Sequence, residues 1–216
     1  MSLTLHCHPL SSYSWKVLIP LYENGTPFEP VLLDLFDPAA RAAHLARWPM
    51  GKMPVLEDAA RGEMVAESSV IIDYLDRYYS GRLRFTPADP DVAWRTRFWD
   101  RFFDLSIQSA VQKIVGDRIR PAGEQDPFGV AAARAQLTTA LDFVEREATG
   151  RTWFSGGDFG LADCAAAPAL YYADRVQPFG EGQGAVRAYL DRLMARPSFA
   201  RVLKEAEPYF AMFPAG

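Results

Sequence analysis

The chain is predicted to fold as an α/β unit over residues 1–80, joined by a linker at 81–90 to an all-helical unit over 91–216. Two observations predict this. Short apolar runs and helix-period stretches alternate as β-α-β-α-β-β-α as far as Tyr79, which makes a βαβ unit followed by a hairpin and a helix. After Ser80–Pro90, a stretch of turn formers, the strand signal fades and four or five helical stretches follow, the first long and aromatic-rich.

Each element has its own signal. Leu3–His8 alternates as a short strand, and Ser11 and Ser12 read as a helix N-cap. The helix they open carries Trp15, Val17, Leu18, Leu21 and Tyr22 and stops at Asn24-Gly25, a C-terminal signal. Pro20 lies inside it and predicts a kink, because an unrelieved internal proline costs roughly 3 kcal/mol. A second strand is expected over Phe28–Leu35, a short helix over Pro38–Arg47, and two brief strands over Pro54–Glu57 and Glu63–Ala66 around the turn-rich Asp58–Gly62. Glu67–Tyr79 is expected to be helical, with Val70, Ile71, Tyr74, Leu75 and Tyr78 on the buried face. Further helices are expected over Asp91–Asp117, Pro127–Thr149, Leu161–Arg175, Gly184–Ala195, and from Pro197. The aromatics of Asp91–Asp117 (Trp94, Phe98, Trp99, Phe102, Phe103) are read mostly as core.

Composition narrows the function. With 216 residues, 49% hydrophobic and 23% charged, the chain is long enough for one large core or two modest ones. A net charge of −4 offers no footprint for nucleic acid or an anionic membrane. His6, His8 and His44 have no acidic or cysteine cluster beside them, so no metal site is expected. Cys7 and Cys164 are far apart and form no Cys-x-x-Cys pair, which favours free thiols in a reducing, cytoplasmic setting. Neither a signal peptide nor a membrane span is expected.

Three segments carry a resemblance to a known family. Ser11-Ser-Tyr-Ser-Trp-Lys-Val17 is similar to the Ser-Ser-Cys-Ser-Trp-Arg-Val opening of zeta-class glutathione transferases, with Tyr13 in place of the cysteine. Gly51-Lys-Met-Pro-Val-Leu56 resembles the family's Gly-Lys-Val-Pro segment, whose proline is cis. Gly157-Asp-Phe-Gly-Leu-Ala-Asp163 resembles the capping motif that opens the central helix of the family's second domain. The chain therefore resembles a bacterial, serine-type cytosolic glutathione transferase over essentially its full length. That implies a thioredoxin-like N-terminal domain, an all-α C-terminal domain, glutathione as co-substrate with no bound cofactor, and a homodimer. It also implies conjugation of the glutathione thiolate to a small hydrophobic electrophile. Zeta-type cis-trans isomerisation is the enzymatic alternative, weakened by the absent cysteine, and a non-catalytic protein-interaction module comes last.

The resemblance assigns roles, and the residues suggest how each would work. A thiol of pKa about 8.5 is mostly protonated at neutral pH, although the thiolate is the nucleophile. Lowering that value by two units takes about 2.7 kcal/mol. A hydroxyl bonded to the anion supplies about 1.5–3 kcal/mol, and a helix N-terminus up to about 1 more. Ser11 falls on the position of the catalytic serine, with Ser12 next to it in the glutathione site. Simple N-capping is the competing reading for both. A cis Met53–Pro54 bond would leave the Met53 backbone free to pair with the cysteinyl unit like an added strand. Lys52 is placed near the glycyl carboxylate, or is simply a solvated charge. Glu67 and Ser68 open a helix, where an α-carboxylate meets free N–H groups and Glu67 can accept from an ammonium; a capping pair is the alternative. Tyr13, Phe102 and Ser106 are assigned to the electrophile pocket, the last two because they share a helix face at i, i+4. Cys7 is read as an inert buried thiol. Two departures stand out: Trp48 where the family often has asparagine, and Gly160 where it usually has serine or threonine. The second is expected to halve the capping box with Asp163 at N3, while Phe159 packs on Cys164 as a staple.

Overall fold

Four short strands, β1 (Leu3–Cys7), β2 (Glu29–Leu32), β3 (Val55–Asp58) and β4 (Glu63–Ala66), form one sheet in the order β2-β1-β3-β4. β1 runs parallel to β2 and antiparallel to β3, and β3 pairs antiparallel with β4. The parallel pair requires a crossover, supplied by helix α1 (Ser12–Glu23); the antiparallel pair needs only the Asp58–Gly62 turn. Helices α2 (Pro38–Arg47) and α3 (Ser68–Tyr78) complete this part. The computed structural model describes residues 2–34 and 37–214; the expected end of the second strand at Leu35 lies outside them.

The helix boundaries have local causes. α1 runs through Pro20 to Glu23 and ends in a Schellman arrangement, with Thr26 N donating to Leu21 O at 2.9 Å and Gly25 N to Tyr22 O at 3.3 Å. Gly25 takes φ +61°, the left-handed conformation that such an ending requires. α2 starts at Pro38 behind Asp37, whose side chain accepts from Ala39 N.

The all-helical part comprises α4 (Pro90–Phe102), a π-helical turn (Phe103–Gln108), α5 (Ser109–Arg118), α6 (Pro127–Ala148), α7 (Leu161–Val176), α8 (Gly184–Met194) and α9 (Pro197–Ala206), followed by a 3-10 turn at Glu207–Met212. The expected Asp91–Asp117 helix is thus two α-helices joined through a π turn. α7 is the centre of this part, with fourteen of its sixteen residues buried. Among the described residues no helix is long and apolar enough to cross a membrane.

Two expectations change. On α3 the buried positions are Ser68, Ile71, Ile72 and Leu75, whereas Val70 is 53% and Tyr78 39% exposed. Ile71, Ile72 and Leu75 already form a stripe at i, i+1, i+4, so Val70 and Tyr78 turn outward, while Tyr74 packs against the core as expected. On α4, Trp99 is core, while Trp94 and Phe98 are half exposed.

The capping of α7 is repaired from outside the helix. Asp163 Oδ2 accepts Gly160 N at 3.0 Å, one half of the expected box. The hydroxyl that glycine lacks is supplied by Ser155, whose Oγ accepts Ala162 N at 3.0 Å. A Cβ on Gly160 would stand 2.6 Å from Phe85 O and 2.8 Å from Ser155 Cβ, so glycine is required there.

α1 ties the two parts together. Trp15, fully buried, stacks on Tyr172 at 4.8 Å and meets Tyr171 and Phe199 edge-on. Glu23 accepts two hydrogen bonds from Arg196, at 2.9 and 2.8 Å, and one from Ser198 at 2.6 Å.

Candidate active site

Between β1 and α1 the backbone turns, with Ser11 N donating to His8 O at 2.9 Å. Ser11 then serves as the N-cap of α1 at φ −79°, ψ 114°, its Oγ accepting Ser14 N at 3.2 Å. A hydroxyl that accepts through one lone pair keeps its proton to donate. Capping and donation to a ligand are therefore compatible uses of one atom, with the positive end of the α1 dipole behind it.

Two cavities meet at Ser11. The first, of about 320 Å³, has Ser11 and Tyr13 on one side, Lys52, Met53 and Pro54 on another, and Glu67 and Ser68 on a third. Arg101, Asp104, Leu105 and Gln112 face them from the α4–α5 segment, and Trp48 and Gly51 complete the wall. The second, of about 350 Å³, extends from Ser11 and Ser12 past Gln108, Val111 and Val115 to Tyr172 and Phe213. Ser11 and Gln112 line both.

Each wall is held by identifiable contacts. The Met53–Pro54 peptide is cis, and Lys52 O accepts from Nε2 of the fully buried His44 at 3.0 Å. Glu67, the N-cap of α3, has φ +69° and ψ 115° and makes no side-chain cap bond. A non-glycine residue held at positive φ costs about 1–3 kcal/mol, and such strain concentrates at ligand sites. Tyr13 directs its hydroxyl to the Asp104 carbonyl at 3.5 Å. Burial, and secondarily the Asp104 charge, push its phenol above the ordinary tyrosine range, so it stays protonated.

Behind the first cavity lies a buried ionic cluster. Lys16 is fully enclosed, with Nζ donating to Asp104 Oδ2 at 2.7 Å and to Ser69 Oγ at 2.9 Å. The same Nζ is 2.5 Å from Asp100 Oδ1, an ion-pair contact, and Ser69 donates to Asp100 Oδ2 at 2.8 Å. Arg101, half exposed, adds a bond to Asp104 Oδ2 at 3.1 Å. Burial outweighs Lys16 and lifts the Asp104 carboxyl above its usual range. The cluster links α1, α3 and the π turn, the segments that carry Ser11, Ser68 and the facing wall.

The structure brings Ser11, Lys52, Met53, Pro54, Glu67, Ser68 and Tyr13 to one cavity, and places Ser12 on the second. Phe102 and Ser106 line neither. Phe102 packs 5.3 Å from the rings of Trp99 and Phe143, and the Ser106 carbonyl accepts from Gln136. The i, i+4 argument assumed an unbroken α-helix, and the π turn changes the phase of the residues after Phe102. Arg101, Asp104, Gln108 and Gln112 were missed, since no sequence signal marked that turn.

Comparison with known proteins agrees with this geometry. Residues 5–83 match the family model for the glutathione S-transferase N-terminal domain, and residues 127–205 match that for the C-terminal domain. The chain belongs to the glutathione S-transferase family. It is similar to a glutathione S-transferase of Methylobacterium radiotolerans solved with glutathione sulfonate, at 31% identity and TM-score 0.80, covering 93% of each chain. A transferase of Methylobacillus flagellatus solved with glutathione bound is 27% identical at TM-score 0.84, over 93% of this chain and 98% of that one. Among curated relatives, glutathione S-transferase GstB of Escherichia coli K12 is 27% identical over 190 residues, or 87% of this chain and 91% of its own. This glutathione transferase thus has the family's mixed sheet and helical second part, and an open cavity of ligand size at their junction.

Proposed function

We propose that this transferase conjugates glutathione to a small electrophile, with Ser11 as the thiolate-stabilising residue of a serine-type enzyme. The carrying observation is that Ser11 caps α1 while lining both cavities, so a sulfur held there faces a second chamber. Glutathione lies along the first cavity, its cysteinyl backbone beside Met53 and Pro54, its γ-glutamyl end at Glu67 and Ser68, and its glycyl carboxylate toward Lys52. The tripeptide is a co-substrate, and no bound cofactor takes part. Residues 1–80 form the tripeptide-binding unit and 91–216 the helical unit, with 81–90 between them. The second cavity, rather than Phe102 and Ser106, receives the electrophile.

Conjugation proceeds as the thiolate attacks an electrophilic carbon, forming a C–S bond while the leaving group departs with its electron pair. Ser11 supports the anion before attack, and the helix end adds a fixed positive potential. Calorimetry with glutathione, followed by conjugation rates for Ser11→Ala, tests this. Loss of one hydrogen bond to a charged sulfur predicts a fall of roughly 10- to 150-fold in rate at neutral pH. Full activity in Ser11→Ala removes Ser11 from this role, and no heat with glutathione removes the ligand.

The proposal extends to a cytoplasmic homodimer acting in detoxification. Both cysteines are free and buried, and burial pushes the Cys7 thiol up to about 11, which suits a reducing compartment. The exposed apolar side chains of α3 and α4, Val70, Tyr78, Trp94 and Phe98, are assigned to the contact with the second copy.

A further inference from the structure

The second cavity is not uniformly apolar. Val111, Val115 and Phe213 give it a greasy wall, and the Tyr172 hydroxyl is already committed to Leu10 O at 2.8 Å. Gln108 and Gln112, one helical turn apart, are the polar residues of the wall formed by the π turn and α5. Gln108 is only 4% exposed, and its amide oxygen Oε1 has no hydrogen-bond partner. An enclosed acceptor left unpaired is costly, and buried polar groups in folded proteins are almost always satisfied. Gln108 ends the π turn, a local geometry that recurs at functional sites. Its terminal amide torsion is soft and roughly two-fold, so a half-turn exchanges the oxygen and the NH₂ group.

Resting on the reading of the first cavity as the glutathione site, we propose that Gln108 and Gln112 determine specificity in the second. They select an electrophile whose skeleton carries a hydroxyl or amide-type group able both to donate and to accept. With a hydrocarbon ligand the Gln108 oxygen stays unpaired, while a ligand donor pairs with it once the amide turns toward the cavity. A site built to hydrogen-bond its substrate rejects the analogue lacking that group far better than an apolar pocket discriminates by size. Gln112 sits at the junction of the cavities, where it meets the part of the ligand nearest the sulfur.

Calorimetric Kd values for glutathione, S-(2-hydroxy-2-phenylethyl)glutathione and S-(2-phenylethyl)glutathione test this, the two conjugates differing by one hydroxyl. The wild type is expected to bind the hydroxylated conjugate about five- to tenfold more tightly, the effect of one net hydrogen bond. Gln108→Met, which keeps the unbranched volume, is expected to abolish that preference with the Kd for glutathione unchanged. If that variant does not fold, Gln112→Met decides in its place through the ratio of the two conjugates' Kd values alone, because Gln112 also lines the first cavity. Equal or tighter binding of the deoxy conjugate by the wild type, or a preference that survives the substitution, overturns the proposal. Failure of the wild type to bind glutathione overturns the site reading and this inference with it; glutathione binding without a hydroxyl preference overturns the inference alone.

Discussion

Lys16 on α1 and Asp104 in the π turn form an ion pair of 2.7 Å, with side chains 1% and 5% exposed. Such a pair repays its desolvation only with further hydrogen bonds, which Ser69 supplies to Lys16 and Arg101 to Asp104, while Asp100 is a second ion partner of Lys16. Lys16→Met leaves two buried carboxylates with only Arg101 and Ser69 near them. Chemical denaturation is expected to show a loss of about 3–5 kcal/mol, with part recovered in Lys16→Met/Asp104→Asn. A variant as stable as the wild type contradicts this account.

The α7 cap gives a second prediction. Ser155→Ala removes the acceptor for Ala162 N and is expected to cost about 1 kcal/mol. Gly160→Ser, which restores the family's usual residue, is expected to cost more, because its Cβ would press against Phe85 O. A melting temperature raised by Gly160→Ser would show that the compensation by Ser155 is misread.

Asp58 sets a pH dependence. It is 1% exposed and accepts from Tyr79 and Tyr74 hydroxyls at 2.5 and 2.8 Å and from Ala60 N at 3.1 Å. Burial pushes its carboxyl up, but these bonds together hold it below the ordinary carboxylate value. With the folded value below the unfolded one, the stabilisation is complete above the unfolded pKa of about 3.9 and is lost as pH falls through the folded one. Urea midpoints are expected to drop in that acid window for the wild type, and less steeply for Asp58→Asn. Parallel pH profiles for the two proteins would exclude Asp58 as a cause.

For the contact assigned to α3 and α4, Val70→Arg places a charge at a 53% exposed apolar position. Analytical ultracentrifugation is expected to give a dimer for the wild type and a monomer for the variant, with an unchanged circular dichroism spectrum. A variant that remains dimeric moves the interface elsewhere.

Much of this arrangement was legible in the residues because local and global signals agree. Pro38 behind Asp37, Asn24-Gly25 and the Asp58–Gly62 turn each punctuate the chain where an element changes. Ser11, Met53-Pro54 and Glu67-Ser68, which line one cavity, were readable as candidates because they sit at element starts, where backbone groups are free. The positions of Val70 and Tyr78 were not, since apolar residues occupy more than one face of α3 and periodicity cannot rank the faces. Ser106, Gln108 and Gln112 were illegible for another reason. Their facing depends on a π turn, and one added residue rotates every later side chain by about 100°. His44 looked isolated because its partner is the backbone carbonyl of Lys52, which no side-chain pattern reveals.

Trp15 has a consequence for how the molecule holds together. Its indole leaves the sheet's own crossover helix and is enclosed by rings from α7, α9 and the segment beyond. Severing the chain between Tyr79 and Pro90 would therefore strip the largest side chain of α1 of its surroundings and open a hole beside α7. The two family-defined halves are sequence modules, but mechanically they are one cooperative body whose keystone belongs to the first and is housed by the second.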